Sequence, residues 1–364
     1  MSHPDGHRVI VHELAEAPLD GLDQRVTLEP MPAPEAASLG PDEVLVRVRA
    51  TSVNWVDLLM TSGQYQHLAK PPYTPGLEFA GEILAVGAAV TERKVGDRVM
   101  VDGFLAGPRS LGAYQRVGGY ATYAVVPAAA TLPVPAPLSL VQACNLLGNY
   151  ETAYHALVAR GRVTAGDVVL VHGASGSTGL AAVHIAKRLG ATVIATGRSD
   201  DKLAVVAAQG ADHVINCRDL GGLRDAVRGV TGGRGADVVY DGVGGELSVA
   251  SLRCVAFGAR YLLVGWAATP LVADGAGRRG APNANTLPTN LILMKGLDVL
   301  GCPAMISAVE DPSLRPVRQA QVLAWVAAGE IVPYVGRVAP LTEFREVMRA
   351  KWRGEIIGGC ALEP

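Results

Sequence analysis

Three glycines between an apolar run and a helical pattern are the residues whose types and spacing most clearly indicate chemistry. The run Val168 to Val171 leads into Gly173, Gly176 and Gly179, and a helical pattern follows to Leu189. Such a strand–turn–helix unit presents backbone N–H groups and the positive end of the helix dipole to a pyrophosphate. Glycine is suited to the turn because a Cβ would hold the phosphates away. The pattern predicts a dinucleotide site. The residues expected at its phosphates are Gly176, Ser177 and Thr178.

The end of the next apolar run indicates which dinucleotide is bound. An NAD site usually has an acidic residue there, which binds the ribose 2′-hydroxyl. This chain has Gly197 instead, followed by Arg198, Ser199 and, after two aspartates, Lys202. A 2′-phosphate would meet cations and a hydroxyl, which favours NADPH. In the alternative interpretation, Arg198 and Lys202 are solvated charges that the two aspartates neutralise.

The order of the sequence patterns predicts an α/β protein. From about Val141 to Leu300, short apolar runs alternate with helical patterns, which is typical of a parallel sheet covered on both faces. The first third is β-rich, with strict alternation from Glu43 to Ala50. Helical stretches from Leu314 to Ala328 and from Leu341 to Lys351 precede an apolar tail, Glu355 to Leu362, which we expect to rejoin the N-terminal β lobe.

Composition limits the classes of partner. The 364 residues suffice for two domains, and 18% are charged with a formal net charge of -2, which disfavours nucleic acid and anionic membranes. No apolar stretch is long enough to span a bilayer, so we expect a cytoplasmic protein. The five cysteines are widely spaced and contain no CxxC pair, which is neither a disulfide framework nor a zinc cluster.

The chain resembles the zinc-independent quinone oxidoreductase branch of the medium-chain dehydrogenase/reductase superfamily, the ζ-crystallin-like enzymes. The motifs that carry the resemblance are the glycine turn, EVLVRVRATSVNWVDLLMTSGQY (Glu43 to Tyr65), PGLEFAGEI (Pro75 to Ile83), VGDRV (Val95 to Val99), TAYHAL (Thr152 to Leu157), GADHVI (Gly210 to Ile215), DVVYDGVGG (Asp237 to Gly245) and LPTNLILMKGLDVLG (Leu287 to Gly301). The resemblance implies a GroES-like, β-barrel-type catalytic domain from residues 1–138 and 306–364. It also implies a Rossmann domain with a doubly wound parallel sheet from residues 139–305, and an active site in the cleft.

The resemblance also implies a site without zinc. Related zinc alcohol dehydrogenases bind catalytic zinc through a cysteine and a His-Glu pair that follows a glycine. This chain has Asn54 at the first place, and Leu77 between Gly76 and Glu78 at the second. Without a Lewis acid, acceptors that are already electrophilic are favoured. We therefore expect NADPH-dependent hydride transfer to a quinone or an α,β-unsaturated carbonyl compound.

Candidate active-site residues follow from the same motifs. Asn54 and Tyr65 match polar positions that orient nicotinamide and substrate, and the hydroxyl of Tyr65 is also a candidate proton donor. In the alternative interpretation, Asn54 caps a helix that begins near Val56 and Tyr65 is a loop aromatic. The further cofactor contacts that the resemblance implies are Thr152, Arg218, Val243, Gly265 and Trp266.

Some departures from the family pattern leave alternatives open. Cys217 stands where a tyrosine often helps to hold the 2′-phosphate, so Arg218 has to substitute for it. The insertions at 102–119 and 267–285 are expected at the surface or the cleft, and Arg278 and Arg279 of the second could serve an enoyl-thioester reductase. A nucleotide-binding protein with little turnover is the other alternative. The apolar strand Leu297 to Leu300 favours a homodimer.

Overall fold

The computed structural model describes residues 3–65, 67, 69–110, 112–267 and 286–364. Most of the second predicted insertion, including Arg278 and Arg279, lies outside these residues. Within them the chain forms two compact units. The terminal unit comprises residues up to Leu147 and from Val332 onward, and the central unit comprises the described residues from Gly148 to Ile331.

The division into compact units falls later in the chain than the predicted domain boundaries at 138/139 and 305/306. The contacts of Glu151 explain why the second division falls after residue 305. Its buried carboxylate accepts hydrogen bonds from Nε and Nη2 of Arg315, both at 3.1 Å, which ties residues beyond 305 to the central unit. Compactness and family domains are separate criteria, so the predicted domain ranges stay a prediction.

Strands and helices follow the predicted order along the chain. The strands are β1 (Gly6–Val11), β2 (Val26–Met31), β3 (Glu43–Ser52), β4 (Phe79–Val86), β5 (Arg98–Val101), β6 (Tyr123–Pro127), β7 (Thr131–Pro133), β8 (Val168–Val171), β9 (Thr192–Gly197), β10 (His213–Asn216), β11 (Ala236–Asp241), β12 (Val255–Leu263), β13 (Asp298–Gly301), β14 (Val335–Pro340) and β15 (Gly359–Glu363). The helices are α1 (Pro18–Gln24), α2 (Trp55–Met60), α3 (Leu140–Ala143), α4 (Leu147–Tyr154), α5 (Ser177–Arg188), α6 (Asp200–Ala208), α7 (Leu223–Val230), α8 (Glu246–Ser251), α9 (Thr289–Lys295), α10 (Ala304–Glu310), α11 (Leu314–Ala327) and α12 (Phe344–Trp352).

The terminal unit is built on a mixed sheet in the order β14-β15-β3-β4-β5-β7, with β6 also paired to β3. Alternation in β3 places Val44, Val46 and Val48 in a buried cluster, which is how a half-buried strand stabilises its sheet. The C-terminal strand β15 pairs antiparallel with β3 through Leu362 and Thr51. The prediction that the apolar tail rejoins the N-terminal β lobe is therefore confirmed.

The central unit is a parallel sheet in the order β10-β9-β8-β11-β12-β13. In chain order this is the 3-2-1-4-5-6 arrangement of a doubly wound dinucleotide-binding sheet. The inner strands β8, β9 and β11 are mostly buried, because helices cover both faces of such sheets. Edge strand β13 spans Asp298–Gly301, close to the predicted Leu297 to Leu300. The predicted fold class is confirmed.

A buried histidine makes the stability of the central unit sensitive to acid. His155 is 4% exposed and begins a π-helical segment, His155–Arg160, that continues α4. Burial, followed by the charges of Arg318 and Arg160, lowers the pKa of His155 from 6.5 to about 4. The unfolded chain therefore binds the proton more readily, so this contribution to stability is complete above pH 6.5 and is lost as the pH falls towards 4.

We predict that His155→Gln reduces the loss of unfolding free energy between about pH 8 and about pH 5 by roughly 2 kcal/mol. The measurement is urea unfolding at both pH values. The wild-type protein, measured in the same buffers, is the reference. An equal loss in the wild-type protein and His155→Gln would show that His155 does not titrate in this range.

Candidate functional site

The glycine turn lies at the carboxyl end of β8. Gly173 has a positive φ of 63°, and Gly176 is the N-cap residue of α5. A Cβ on Gly179 would lie 2.2 Å from the carbonyl oxygen of Gly173, so only glycine lets the helix approach the turn this closely. The helix begins at Ser177, two positions before the predicted Gly179, because the turn itself supplies its cap. The first N–H groups of a helix have no partner within the helix and are a binding site for anions.

Cationic side chains gather at the carboxyl end of β9. The strand ends at Gly197, and exposed Arg198 follows it. Ser199 is the N-cap residue of α6, and half-buried Lys202 lies in the first turn of that helix. Arg218 follows β10, and its Nη2 donates to the carbonyl oxygen of Arg198 at 3.1 Å. The structure thus brings the predicted Arg218 beside the predicted Arg198.

A buried aspartate that the sequence analysis did not identify shapes the loop after β11. Oδ1 of Asp241 accepts the backbone N–H groups of Val243 and Gly244, each at 2.9 Å. Its Oδ2 accepts the hydroxyls of Tyr261, at 2.8 Å, and of Ser248. Four donors therefore fix the orientation of this carboxylate. Because two of them are backbone N–H groups of the loop, the carboxylate also stabilises the conformation of the loop. The DVVYD run shows an acid at a strand end, but the donors to it come from the following loop, from helix α8 and from the neighbouring strand β12.

The Asp241 loop brings the predicted Val243 to the glycine turn. A Cβ on Gly173 would lie 2.9 Å from Cγ2 of Val243. The predicted Gly265 follows the neighbouring strand β12, and its N–H donates to the carbonyl oxygen of Asp241 at 3.1 Å. Trp266 comes next and is 54% exposed. All these residues lie at the carboxyl ends of parallel strands, where doubly wound sheets bind their ligands.

Thr152 belongs to α4 rather than to a strand end. Its hydroxyl donates to the carbonyl oxygen of Gly148 at 2.7 Å, within the helix. The side chain is half-buried. Because the hydroxyl proton is engaged, the remaining capacity of Oγ1 is that of an acceptor. This geometry does not test its cofactor role, which stays a prediction.

In the terminal unit, Asn54 is both a helix cap and a candidate site residue. It is the N-cap residue of α2, which begins at Trp55, and its backbone N–H donates to Oδ2 of Asp57 at 2.8 Å. Its side-chain Nδ2 donates to Oγ of Ser52 at 2.8 Å. The capping interpretation is therefore correct, and it leaves the half-buried amide in a fixed orientation. The predicted catalytic role of Asn54 is untouched by this and stays a prediction.

The carboxylate of Asp57 is a structural hub. Besides Asn54, it accepts at Oδ1 the backbone N–H groups of Gly76 and Leu77, at 3.1 and 3.2 Å. Burial raises the pKa of Asp57 to about 7, and the three N–H donors oppose that rise. Three donors that join α2 to the approach of β4 explain the carboxylate without a general-base role.

The remaining candidates of the terminal unit lie near its core. Tyr65 is half-buried, packs against the cluster that contains Tyr73 and Leu77, and meets the ring of His67 edge-on at 5.9 Å. In the insertion at 102–119, which we expect at the surface or the cleft, residues 106–110 are buried. They are buried because this segment folds back onto the sheet, where Ala106 joins the cluster formed by β3, β4 and β5.

Within residues 3–65, 67, 69–110, 112–267 and 286–364, no three His, Cys, Asp or Glu side chains form a group that could hold a metal ion. Over the same residues, no helix combines the length and the apolar character needed to cross a bilayer. All five cysteines are described, buried and unpaired.

Comparison with known proteins identifies the family. Residues 40–136 match the alcohol dehydrogenase GroES-like domain, and residues 177–310 match the zinc-binding dehydrogenase model. The chain is 32% identical to quinone oxidoreductase-like protein 2 of Mus musculus over 325 residues, which covers 88% of this chain and 85% of that protein.

Solved structures agree with this family. A probable oxidoreductase from Mycobacterium abscessus has a TM-score of 0.79 at 29% identity, covering 99% of both chains. A mycobacterial protein complexed with NADPH has a TM-score of 0.76 at 27% identity, covering 99% of this chain and 100% of that one. The predicted family is confirmed: the chain belongs to the medium-chain dehydrogenase/reductase superfamily, in its quinone oxidoreductase-like branch, and is an oxidoreductase of that family.

Proposed function

We propose that this chain is an NADPH-dependent reductase that delivers a hydride, without a metal, to quinones or α,β-unsaturated carbonyl compounds. The observation that carries the proposal is the glycine turn at the end of β8, with the cations Arg198, Lys202 and Arg218 gathered beyond the ends of β9 and β10. The NADPH in the mycobacterial neighbour supports the choice of cofactor. Asn54 and Leu77 stand where related zinc alcohol dehydrogenases have zinc ligands, and they offer no thiolate or imidazole. This supports an acceptor that is electrophilic without a metal.

The residues of the central unit fit a dinucleotide. A Cβ on Gly176 would lie 3.3 Å from the carbonyl oxygen of Gly173, inside the turn where phosphates approach the backbone. In this proposal the N–H groups and hydroxyls of Ser177 and Thr178 bind the pyrophosphate. Val243 and the backbone of Gly265 and Trp266 bound the nicotinamide end.

The surroundings of Gly197 fit a 2′-phosphate better than a free hydroxyl. Arg198, Ser199, Lys202 and Arg218 supply guanidinium, hydroxyl and ammonium donors, and guanidinium groups bind phosphate oxygens in pairs. Asp200, in the first turn of α6, is a competing charge. Its Oδ1 already accepts a hydrogen bond from Nδ2 of Asn216 at 2.7 Å. In the alternative interpretation, this aspartate is one of the two that neutralise Arg198 and Lys202.

The roles of the other residues follow from what each can donate or accept. Bound NADPH supplies the hydride. Asn54, which gives one of its two Nδ2 hydrogens to Ser52, is the candidate for orienting nicotinamide and substrate through its amide. Thr152 offers an acceptor because its own proton is engaged. Tyr65 donates a hydrogen bond, or a proton, to the reduced acceptor.

Steady-state kinetics test the proposal. We expect the protein to oxidise NADPH with 1,4-benzoquinone or 2-cyclohexen-1-one, to reduce NADP⁺ with ethanol far more slowly, and to keep its rate in the presence of a chelator. Crotonyl-CoA as acceptor examines the enoyl-thioester alternative. Turnover confined to ethanol and abolished by the chelator would contradict the proposal, and binding of NADPH without any turnover would identify the nucleotide-binding alternative.

We further propose that the protein forms a homodimer through the edge of the central sheet. Phe257, Leu293 and Met294 are 83%, 81% and 72% exposed, and the last two lie on α9, which directly precedes edge strand β13. Exposed apolar side chains beside an unpaired strand edge favour pairing with a second copy.

For this dimer we predict a mass near twice 37.8 kDa in light scattering after size exclusion. The double variant Phe257→Ser/Leu293→Asp should elute as a monomer, because a charge at the interface leaves a buried carboxylate unpaired. Val95→Asp, which alters a 61% exposed residue of the terminal unit, is the control. A wild-type monomer, or a double variant that stays dimeric, would disprove the assignment of this surface.

The same proposal gives a small-molecule acceptor as the partner and the cytoplasm as the location. Five buried cysteines without a disulfide suit a reducing compartment. The net charge of -2 offers no cationic field for nucleic acid.

A further inference from the structure

Arg109 is a buried arginine whose Nε has no hydrogen-bond partner among the described residues. It lies in the insertion between β5 and β6 of the terminal unit and is 8% exposed. Among the described residues its Nε, shielded from solvent, has no partner, and the same is true of Oγ of the adjacent Ser110. Buried donors are nearly always paired, because an unpaired one forfeits its hydration. Two adjacent buried donors without partners are therefore available to an acceptor atom.

The charge beside Arg109 limits the class of that ligand. Nη2 of Arg109 lies 4.0 Å from Oε1 of Glu78, and both side chains are almost completely buried. Cζ of Arg109 lies 5.1 Å from the ring of Phe104, which also favours the cation. The charges of Arg109 and Glu78 nearly cancel. A carboxylate ligand would therefore be repelled by Glu78 about as much as it is attracted by Arg109. A carbonyl oxygen fits better, since it is uncharged on arrival and can gain negative charge later.

Arg109 is connected to the candidate site residue Asn54 within the same unit. Asn54 donates to Oγ of Ser52, and that hydroxyl donates to the carbonyl oxygen of Glu78 at 3.2 Å. The side chain of Glu78 then faces Arg109. A Cβ on Gly103 would lie 3.2 Å from Nη2 of Arg109, so the absence of a side chain there leaves room for the guanidinium.

We propose that Arg109 donates a hydrogen bond to the carbonyl oxygen of an uncharged enone and stabilises the enolate that forms during reduction. This inference rests on the proposed function. Hydride adds to the β-carbon, the π electrons of the C=C bond move to the α-carbon and the oxygen, and the enolate oxygen carries the charge beside Arg109. The α-carbon then takes a proton from water, or from the hydroxyl of Tyr65, which water reprotonates. In sum, enone, NADPH and one proton give saturated ketone and NADP⁺. Preformed donors of this kind are effective because they are oriented before the charge develops.

The first test is the kinetics of 2-cyclohexen-1-one reduction in three proteins. Arg109→Met should lower kcat by about 100-fold or more, the usual effect of removing an oxyanion donor. Its affinity for NADPH, measured by nicotinamide fluorescence, should stay unchanged. Arg49→Met, which removes an exposed arginine paired with Glu82 in the same unit, should keep the wild-type kcat. Wild-type kcat in Arg109→Met would overturn the proposal.

The second test reads the hydrogen bond directly and does not need turnover. In difference infrared spectra with NADP⁺, the C=O stretch of bound 2-cyclohexen-1-one should shift to lower frequency in the wild-type protein and in Arg109→Lys, but not in Arg109→Met. An equal shift in all three would overturn the proposal, even if Arg109→Met were too unstable for kinetics. If no acceptor is reduced but the shift still depends on Arg109, the proposed function fails and the carbonyl site stands.

The third test uses the charge of Glu78. Glu78→Gln leaves Arg109 without its counter-charge, so an enone that carries a carboxylate, 4-oxo-2-pentenoate, should gain about tenfold in kcat/KM relative to 2-cyclohexen-1-one. An unchanged ratio would contradict the role assigned to the ion pair.

Discussion

Gly179→Ala should lower the affinity for NADPH by about 100-fold, which is about 2.7 kcal/mol. The new Cβ would lie 2.2 Å from the carbonyl oxygen of Gly173, a backbone atom that cannot rotate away. The start of α5 must then move from the turn, and the N–H groups that meet the pyrophosphate move with it. We also expect the unfolding free energy to fall by about 1–3 kcal/mol, as overpacking does elsewhere. Fluorescence titration with NADPH measures the first effect and urea unfolding the second.

A second glycine of the same unit supplies the control. Gly229 lies within α7, and a Cβ there would meet nothing within 4 Å. Gly229→Ala should keep the affinity for NADPH and raise stability slightly, since alanine is the better helix former. Undiminished NADPH affinity in Gly179→Ala would mean that the phosphates are bound elsewhere.

Replacing Arg198, Lys202 and Arg218 together by alanine should weaken NADPH by about 100-fold and change NADH by less than about threefold. Three exposed or half-exposed cations each contribute roughly one charge-assisted hydrogen bond, reduced by solvent screening. The effect is confined to NADPH because only its ribose carries the 2′-phosphate. Parallel fluorescence titrations with both coenzymes measure it.

Arg224→Ala is the matched control, because it removes an exposed arginine of α7. It should leave both affinities unchanged. Equal binding of NADPH and NADH to the wild-type protein would support the alternative in which Asp200 and Asp201 neutralise the cations. In that case the choice of NADPH would be wrong, although the glycine turn would still bind a dinucleotide.

Strands that form an apolar run between polar or glycine-containing segments could be predicted from the sequence. β8 begins and ends at the predicted residues, and the predicted Glu43 to Ala50 falls within β3. A buried parallel strand has to be apolar along its length, so its limits coincide with changes in composition. The sequence predicts the start of α5 at Gly179, two residues after its start at Ser177 in the structure. The difference arises because the capping turn has the composition of a loop.

Contacts made by irregular segments could not be predicted in this way. Arg218 reaches Arg198 because β10 pairs with β9 in a register that sets Asn216 beside Gly197. No local pattern contains that register. Asp241 collects donors from its own loop, from helix α8 and from strand β12, and Arg109 is buried by a segment whose glycines and polar residues resemble an exposed loop. Their roles depend on tertiary structure, whereas the glycine turn is local.

The most direct test of the central claim follows a labelled hydride. The protein is incubated with 2-cyclohexen-1-one and NADPH deuterated at the transferred position, and the product is examined by NMR. We predict cyclohexanone that carries deuterium at the former β-carbon, because the hydride adds to the conjugated double bond. Deuterium at the carbonyl carbon of an alcohol would contradict the account. So would coenzyme that keeps its label with both this enone and 1,4-benzoquinone.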